Sequence, residues 1–246
     1  RAAGSYPHIS SFSIHAVNCL GLRMEKIGIL WDLDGTIVDS VVLYYEAYRG
    51  VYEKYHLGPL NETLEVYRNR YFGETPEVFL RDHIARNVPD EEMWAMTDDY
   101  LHFANQYLLN SADGGIRLLP GVERVIDAFL EKGYPMAIAS TSWMPNVVRA
   151  LDRIGMLEKF TNISSGYLLP SKPAPDVFRI GAEMIHVPAE RCVVFEDSLA
   201  GMKGAKNAGM KCVGIASSVR TSQMTDADIR LECYSDLRIE AVEALF

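Results

Sequence analysis

The sequence is poor in cysteine, has no long apolar run and lacks an excess of positive charge. Its cysteines, Cys19, Cys192, Cys212 and Cys233, are far apart and form no CxxC pair, which disfavours a disulfide-stabilised secreted domain and indicates a reducing compartment. No uninterrupted apolar stretch approaches the roughly 20 residues that a membrane-spanning helix needs. We therefore expect a soluble, cytoplasmic protein without a membrane partner.

The chain carries fewer positively than negatively charged residues. The sequence holds 24 Lys and Arg against 33 Asp and Glu, for a formal net charge of -9. This balance argues against a nucleic-acid partner, because binding to a phosphate backbone depends on clustered Lys and Arg. An acidic protein that binds an anionic substrate must concentrate positive charge locally, through a lysine, backbone N–H groups or a metal ion.

The length of 246 residues, 48% of them hydrophobic, suffices for one large core, with or without a small second domain. We expect a monomer or a weak homodimer. Residues 1–23 are interpreted as an N-terminal extension before the core begins at Met24. Residues 1–24 contain no Asp or Glu and several serines, a composition shared with transit peptides, whereas polar residues interrupt any secretory signal.

Strands alternate with helices after Met24. Residues 27–31 form an apolar run that stops at Asp32, as is typical of a buried parallel strand. Further strands are predicted at residues 134–139, 161–164, 192–195 and 211–215, with helices at 120–132, 145–154, 176–185 and 201–207. This alternation predicts an α/β fold with a Rossmann-like, doubly wound parallel sheet, whose site lies at the carboxyl ends of its strands.

One long segment interrupts the alternation. Residues 42–112 contain no convincing strand and carry aromatic and charged residues at helical spacing, which predicts three or four helices. We therefore divide the chain into an α/β core, residues 24–41 and 113–246, and an inserted all-helical domain, residues 42–112.

Four polar motifs follow predicted strands or lie in the loops between them. The first is Asp32-Leu33-Asp34-Gly35-Thr36, in which two carboxylates can share a metal and Gly35 permits a tight turn. An EF-hand calcium loop is disfavoured, because its glycine would come two positions later and an acid would stand at Leu43.

The second motif, Glu196-Asp197-Ser198, also follows an apolar run. Adjacent acids at the end of a buried strand are costly unless a cation compensates them, although Asp197 or Ser198 as a simple helix N-cap is the alternative. The other two motifs are weaker alone. Lys172 in Ser171-Lys172-Pro173 can neutralise phosphate oxygens, and the hydroxyl and N–H groups of residues 140–142, Ser-Thr-Ser, can bind an anion.

Together these motifs resemble, in order and placement, those of the haloacid dehalogenase-like (HAD) superfamily. The resemblance covers residues 27–215 and rests on the segments DLDGT, SKPAPDVF and VFEDSLAG. Within that superfamily the sequence is similar to the β-phosphoglucomutases, sugar-phosphate phosphatases and phosphoglycolate phosphatases. In that subgroup a helical cap is inserted between the aspartate motif and the serine or threonine motif, so the resemblance implies that residues 42–112 form such a cap.

The resemblance also implies a mechanism. Asp32 is expected to be the nucleophile that forms an aspartyl-phosphate, and Asp34 the general acid and then base. Mg²⁺ is expected at Asp32, the Asp34 backbone carbonyl and Asp197, with Glu196 either a ligand or an anchor for its neighbours. The expected phosphate contacts are Lys172, Ser140, Thr141 and Thr36. Of these, Lys172 is also expected to be catalytic. The substrate would be a small phosphate ester.

The sequence favours a phosphatase over three alternatives. Dehalogenases and phosphonatases of this fold lack an acid at the position of Asp34. A phosphosugar mutase needs residues for a second phosphate, and the matching positions hold Tyr44, Pro76 and Trp143-Met144. A catalytically idle binding module is disfavoured, because no catalytic position is substituted.

The candidate specificity residues are Tyr44, Gly73, Glu74, Ser142 and Trp143. Aromatic residues at helical spacing in the insert are more simply explained as its own core. Trp31, like Trp143, flanks a motif, and either lines the pocket or packs in the sheet.

Overall fold

A six-stranded parallel sheet forms the core of the residues that the computed structural model describes, which are 26–58, 62–70, 76–81, 88–112 and 115–246. Its spatial order is β5-β4-β1-β6-β7-β8. The predicted α/β fold is confirmed. The strands are β1 (Gly28–Trp31), β4 (Met136–Ser140), β5 (Ile163–Ser165), β6 (Cys192–Glu196), β7 (Lys211–Ile215) and β8 (Ile229–Leu231).

Helices cover both faces of this sheet, which is why its central strands are continuously hydrophobic rather than alternating. Ile29 and Trp31 of β1 face one side, where α5, α6 and α9 pack, while Leu30 faces α7 and α8 on the other. The helices are α5 (Val122–Glu131), α6 (Met144–Arg153), α7 (Asp176–Met184), α8 (Leu199–Asn207) and α9 (Ile239–Glu243).

Trp31 is part of this packing and not of a pocket wall. Its side chain is fully buried and stacks on Phe195 of β6, with ring centroids 4.1 Å apart and planes 15° apart. Phe129 of α5 meets the same indole edge-on. The two interpretations of Trp31 are thereby resolved in favour of sheet packing.

The strandless segment folds into helices that pack on one another. The structure describes α1 (Val41–Lys54), α2 (Leu64–Arg70), α3 (Pro76–Phe79) and α4 (Asp90–Asn110) there. The buried ring of Tyr48 on α1 lies at the centre of an aromatic cluster, 4.0 Å from the Phe79 centroid and 4.5 Å from that of Tyr100. These three aromatic residues therefore form part of the core of the insert itself.

The two connections between insert and sheet run side by side. β2 (Val38–Asp39) and β3 (Arg117–Leu118) form a two-residue antiparallel pair. The Asp39 carboxylate accepts hydrogen bonds from Arg68 of α2 at 3.2 Å and from Arg117 at 3.1 Å. Burial alone would raise the pKa of Asp39, but the two guanidinium groups outweigh it and hold the pKa below its ordinary value. This ion pair joins both connections to the insert.

Candidate active site

Asp32 lies at the carboxyl edge of the sheet, directly after its central strand. β1 has β4 on one side and β6 on the other, so the chain crosses from one half of the sheet to the other at this point. The Asp32 backbone N–H donates to the Phe195 carbonyl at 3.0 Å, which extends the pairing of β1 with β6 to the end of both strands. Such a crossover point is where open parallel sheets bind their ligands.

Lys172 bridges the aspartate motif at Asp32 and the acidic motif at Glu196. Its ammonium group lies 2.5 Å from Asp32 Oδ1 and 2.5 Å from Glu196 Oε1, and all three side chains are at most 8% exposed. Burial alone would lower the pKa of Lys172, but the two carboxylates outweigh it and raise the pKa above its ordinary value. Lys172 is therefore a permanent positive charge beside the Asp32 carboxylate.

Glu196 is held by the turn that follows β6. Its Oε2 accepts the backbone N–H groups of Asp197 at 2.8 Å and Ser198 at 2.7 Å, while Oε1 accepts from Lys172. Ser198 caps α8 by accepting the Gly201 N–H at 3.0 Å. A Cβ on Gly201 would lie 1.8 Å from Glu196 Oε1, so glycine is required for the helix to approach this carboxylate.

Asp197 packs against the turn of the first motif. A Cβ on Gly35, whose φ is +79°, would lie 2.0 Å from Asp197 Oδ2. Thr36 Oγ1 donates to Asp197 at 3.2 Å, and the Ser218 hydroxyl donates to it as well. Burial and the neighbouring Glu196 raise the pKa of Asp197 to about 7.

These carboxylates fit a divalent cation. One oxygen from each of Asp32, Glu196 and Asp197 lies within 4.8 Å of the other two, and all three residues are buried. Burial, together with the charges of Glu196 and Asp197, raises the pKa of Asp32 well above its ordinary value despite Lys172. Oxygen ligands of this kind suit a hard cation such as Mg²⁺ or Ca²⁺. The Asp34 carboxylate points elsewhere.

The Asp34 carboxylate is surrounded by hydroxyl groups. Ser40 Oγ donates to Oδ1 at 2.6 Å, while Oδ2 accepts from Tyr44 at 2.9 Å and from Ser142 at 2.6 Å. The Tyr44 and Ser142 hydroxyls are also 3.0 Å from each other. We call Asp34 and these three hydroxyl groups the Asp34 cluster. It brings two of the predicted specificity residues to the predicted general acid.

Ser140, Thr141 and Ser142 all line the cavity described below. Ser140 is buried, and its Oγ accepts the Ser142 N–H at 3.1 Å. Thr36, predicted to bind phosphate, is engaged elsewhere, because its N–H donates to Leu33 and its hydroxyl to Asp197.

A cavity of about 370 Å³ opens between the sheet edge and the insert. It contains the predicted Tyr44, Ser142 and Trp143, whereas Gly73 and Glu74 lie outside the described residues. Sequence reasoning missed several lining residues, among them Trp94, Thr97, Tyr100 and Leu101 of α4, the segment from Gly166 to Leu169, and Asn146.

Asn146 is the missed residue with the clearest signal. It is 3% exposed, and its side-chain oxygen has no hydrogen-bond partner among the described residues. A polar residue on the face of α6 that otherwise buries Val147, Ala150 and Leu151 breaks the amphipathic pattern. That break is visible in the sequence, although it does not reveal the cavity.

A parallel sheet with a buried acidic centre and a lysine at its carboxyl edge is the arrangement of an α/β enzyme. The profile of haloacid dehalogenase-like hydrolases matches residues 29–215, so the chain belongs to that family. None of the described helices combines the length and the apolar character that crossing a membrane requires.

Relatives agree with this assignment, and a solved structure has a similar fold. The chain is 28% identical to protein CbbY of Cereibacter sphaeroides, over 85% of this chain and 93% of that protein. It is 26% identical to hexitol phosphatase A of Escherichia coli K12, over 88% and 95%. The crystal structure of a β-phosphoglucomutase from Clostridium difficile is similar in fold, with a TM-score of 0.73 at 21% identity, over 89% and 96%. The predicted enzyme class, a phosphatase of this family, is confirmed.

Proposed function

We propose that the protein is a Mg²⁺-dependent phosphatase that hydrolyses a small organic phosphate monoester, such as a sugar, polyol or carboxylate phosphate, through an aspartyl-phosphate on Asp32. The observation that carries the proposal is the contact of Lys172 with both Asp32 and Glu196 at 2.5 Å beside Asp197. This arrangement supplies a nucleophile, a fixed cation and a set of metal ligands within one buried centre.

Two displacements at phosphorus account for the reaction. In the first, an Asp32 carboxylate oxygen bonds to phosphorus while the P–O bond to the leaving group breaks, and Asp34 gives its proton to the leaving oxygen. In the second, Asp34 takes a proton from water, whose oxygen bonds to phosphorus as the Asp32–phosphorus bond breaks. Lys172 neutralises charge on the phosphoryl oxygens throughout, which is the main requirement of a loose phosphoryl transition state.

Asp32, Glu196 and Asp197 are the side chains that would hold Mg²⁺. Bound there, the ion would offset the negative charge of the three carboxylates, which would allow an anionic phosphate to approach them. The relatives called hexitol phosphatase A and β-phosphoglucomutase support a hydroxylated phosphate ester as the substrate. A phosphosugar mutase is the alternative, and it differs from a phosphatase in returning phosphate to a sugar.

The test is a screen of sugar, polyol and carboxylate phosphates with Mg²⁺, in which released inorganic phosphate and isomerised sugar phosphate are both measured. We expect phosphate release to dominate for at least one ester and to stop on chelation. Asp32→Asn should abolish it while the circular dichroism spectrum stays unchanged, because this substitution removes the nucleophile at nearly constant volume. Release of phosphate at the parent rate by that variant would contradict the mechanism, and isomerisation without release would favour the mutase.

A further inference from the structure

The hydroxyl of Tyr44 contacts the predicted general acid directly. We propose that Tyr44 is a positioning residue for Asp34, whose carboxyl group it holds in the orientation that protonates the leaving oxygen. The inference rests on the proposed function, in which Asp34 exchanges a proton first with the leaving group and then with water. It assigns to Tyr44 a role in the chemical step rather than in substrate specificity alone.

The geometry of the Asp34 cluster fixes the carboxyl group at both oxygens. Tyr44 OH, Ser142 Oγ and Asp34 Oδ2 form a triangle with sides of 2.9, 3.0 and 2.6 Å. Ser40 Oγ holds the other oxygen at 2.6 Å. Rotation of the carboxyl group about its Cβ–Cγ bond would break at least one side of the triangle together with the Ser40 contact. Orientation of this kind is what efficient proton transfer needs.

Tyr44 is itself held by the insert. Its ring stacks on that of Tyr100 from α4, with centroids 5.9 Å apart and planes 17° apart, and Tyr100 is 3% exposed. A phenol has few rotatable bonds, so a ring packed in this way places its hydroxyl accurately. Ser142 has a short side chain on a loop that follows β4. Tyr44 is therefore the member of the triangle whose position the helices of the insert determine.

Leaving groups of different basicity separate this role from a merely structural one. An alkoxide needs a proton to depart, whereas a dinitrophenolate does not, so only alkyl phosphates depend on correct positioning of Asp34. We expect Tyr44→Phe to lower kcat/KM for alkyl phosphates by on the order of tenfold, part of the 10²–10⁴-fold that a general acid contributes. For dinitrophenyl phosphate the same substitution should change kcat/KM by less than about twofold.

Tyr45→Phe is the matched control, because this neighbouring hydroxyl donates to the Glu62 carbonyl at 2.9 Å within the insert. Tyr45→Phe should leave the dependence of kcat/KM on the leaving group the same as in the parent. The inference is overturned if Tyr44→Phe lowers kcat/KM equally for all esters, or for none, in an enzyme whose parent is active. A parent that releases phosphate from no ester with Mg²⁺ would instead overturn the proposed function and the inference with it.

Discussion

At the scale of single residues, Asp197 shows how the acidic centre depends on a cation. It is buried beside Glu196, and this environment raises its pKa from 3.8 to about 7. A carboxyl group with a raised pKa binds its proton more tightly in the folded than in the unfolded protein. Without metal, therefore, the free energy of unfolding falls as the pH rises through the range from 3.8 to about 7.

A divalent cation competes with that proton. We therefore expect Mg²⁺ to raise Tm more at about pH 8, where Asp197 is ionised, than at about pH 6, where it is protonated. The measurement is a thermal melt with Mg²⁺ or with a chelator at both pH values. Asp197→Asn, which binds no proton there, should show a smaller Mg²⁺ effect that depends less on pH than in the parent. An equal rise in Tm at both pH values in the parent would contradict the assignment of Asp197 as a ligand.

The residues that sequence could and could not predict differ in kind. Asp32, Lys172 and Asp197 belong to local motifs at strand ends, and parallel strands bring their carboxyl ends to one edge. Asn146 and Tyr100 lie on helices where neither is part of a motif. Their place in the cavity follows from how the insert sits over the sheet, which depends on contacts between residues far apart in the chain.

At the scale of elements, the position of α8 depends on Gly201. Alanine normally stabilises a helix relative to glycine by about 0.5–1 kcal/mol. At Gly201, however, an added Cβ would lie 1.8 Å from Glu196 Oε1. We expect Gly201→Ala to destabilise the fold by about 1–3 kcal/mol, because either α8 or the Glu196 carboxylate must move. Chemical denaturation measures this change, and the Mg²⁺-induced rise in Tm should shrink in parallel.

Gly204 provides the control on the same helix. A Cβ there would lie 3.1 Å from Phe178 Cε2, a contact that a small shift of the ring relieves. Gly204→Ala should therefore cost less than Gly201→Ala and leave the Mg²⁺ effect intact. Equal effects of the two substitutions would show that crowding of the helix, and not of Glu196, is responsible.

Short elements were the ones that the sequence did not reveal. The five strands predicted from apolar runs are all present, with bounds displaced by a few residues. β2 and β3 are two residues long and have no pattern of their own, since each forms only against the other. β8 (Ile229–Leu231) has exposed Arg230 at its centre and lies at the edge of the sheet, so its apolar run is too short to detect.

At the scale of the whole molecule, the proposed mechanism draws chemistry and specificity from different parts of the chain. The sheet edge supplies Asp32, Lys172 and Asp197, which in that mechanism act on the phosphoryl group common to every ester. The helix α4 of the insert supplies the opposite wall of the cavity, including Trp94 and Leu101. The two parts meet at the Asp34 cluster, where the hydroxyl of Tyr44 on α1 reaches the acid of the core. This division predicts that substitutions in the insert change the relative kcat/KM values among substrates, whereas substitutions at the sheet edge lower kcat/KM for all of them.

Trp94 is the residue that tests this division most directly. Its side chain is 59% exposed yet lines the cavity, whereas Leu109 on the same helix is 54% exposed and lies outside it. Trp94→Ala should lower kcat/KM for bulky leaving groups more than for small ones, by about 1–3 kcal/mol for a lost apolar contact. Leu109→Ala should leave kcat/KM unchanged for both bulky and small leaving groups. Lys172→Ala should lower kcat/KM for all esters together. A panel from glycerol phosphates to hexose phosphates, measured on the three variants and the parent, distinguishes these outcomes. If Trp94→Ala lowers kcat/KM by the same factor for every ester, the α4 wall only encloses the site. Specificity would then reside in Ser142, Trp143 and the rim of the sheet.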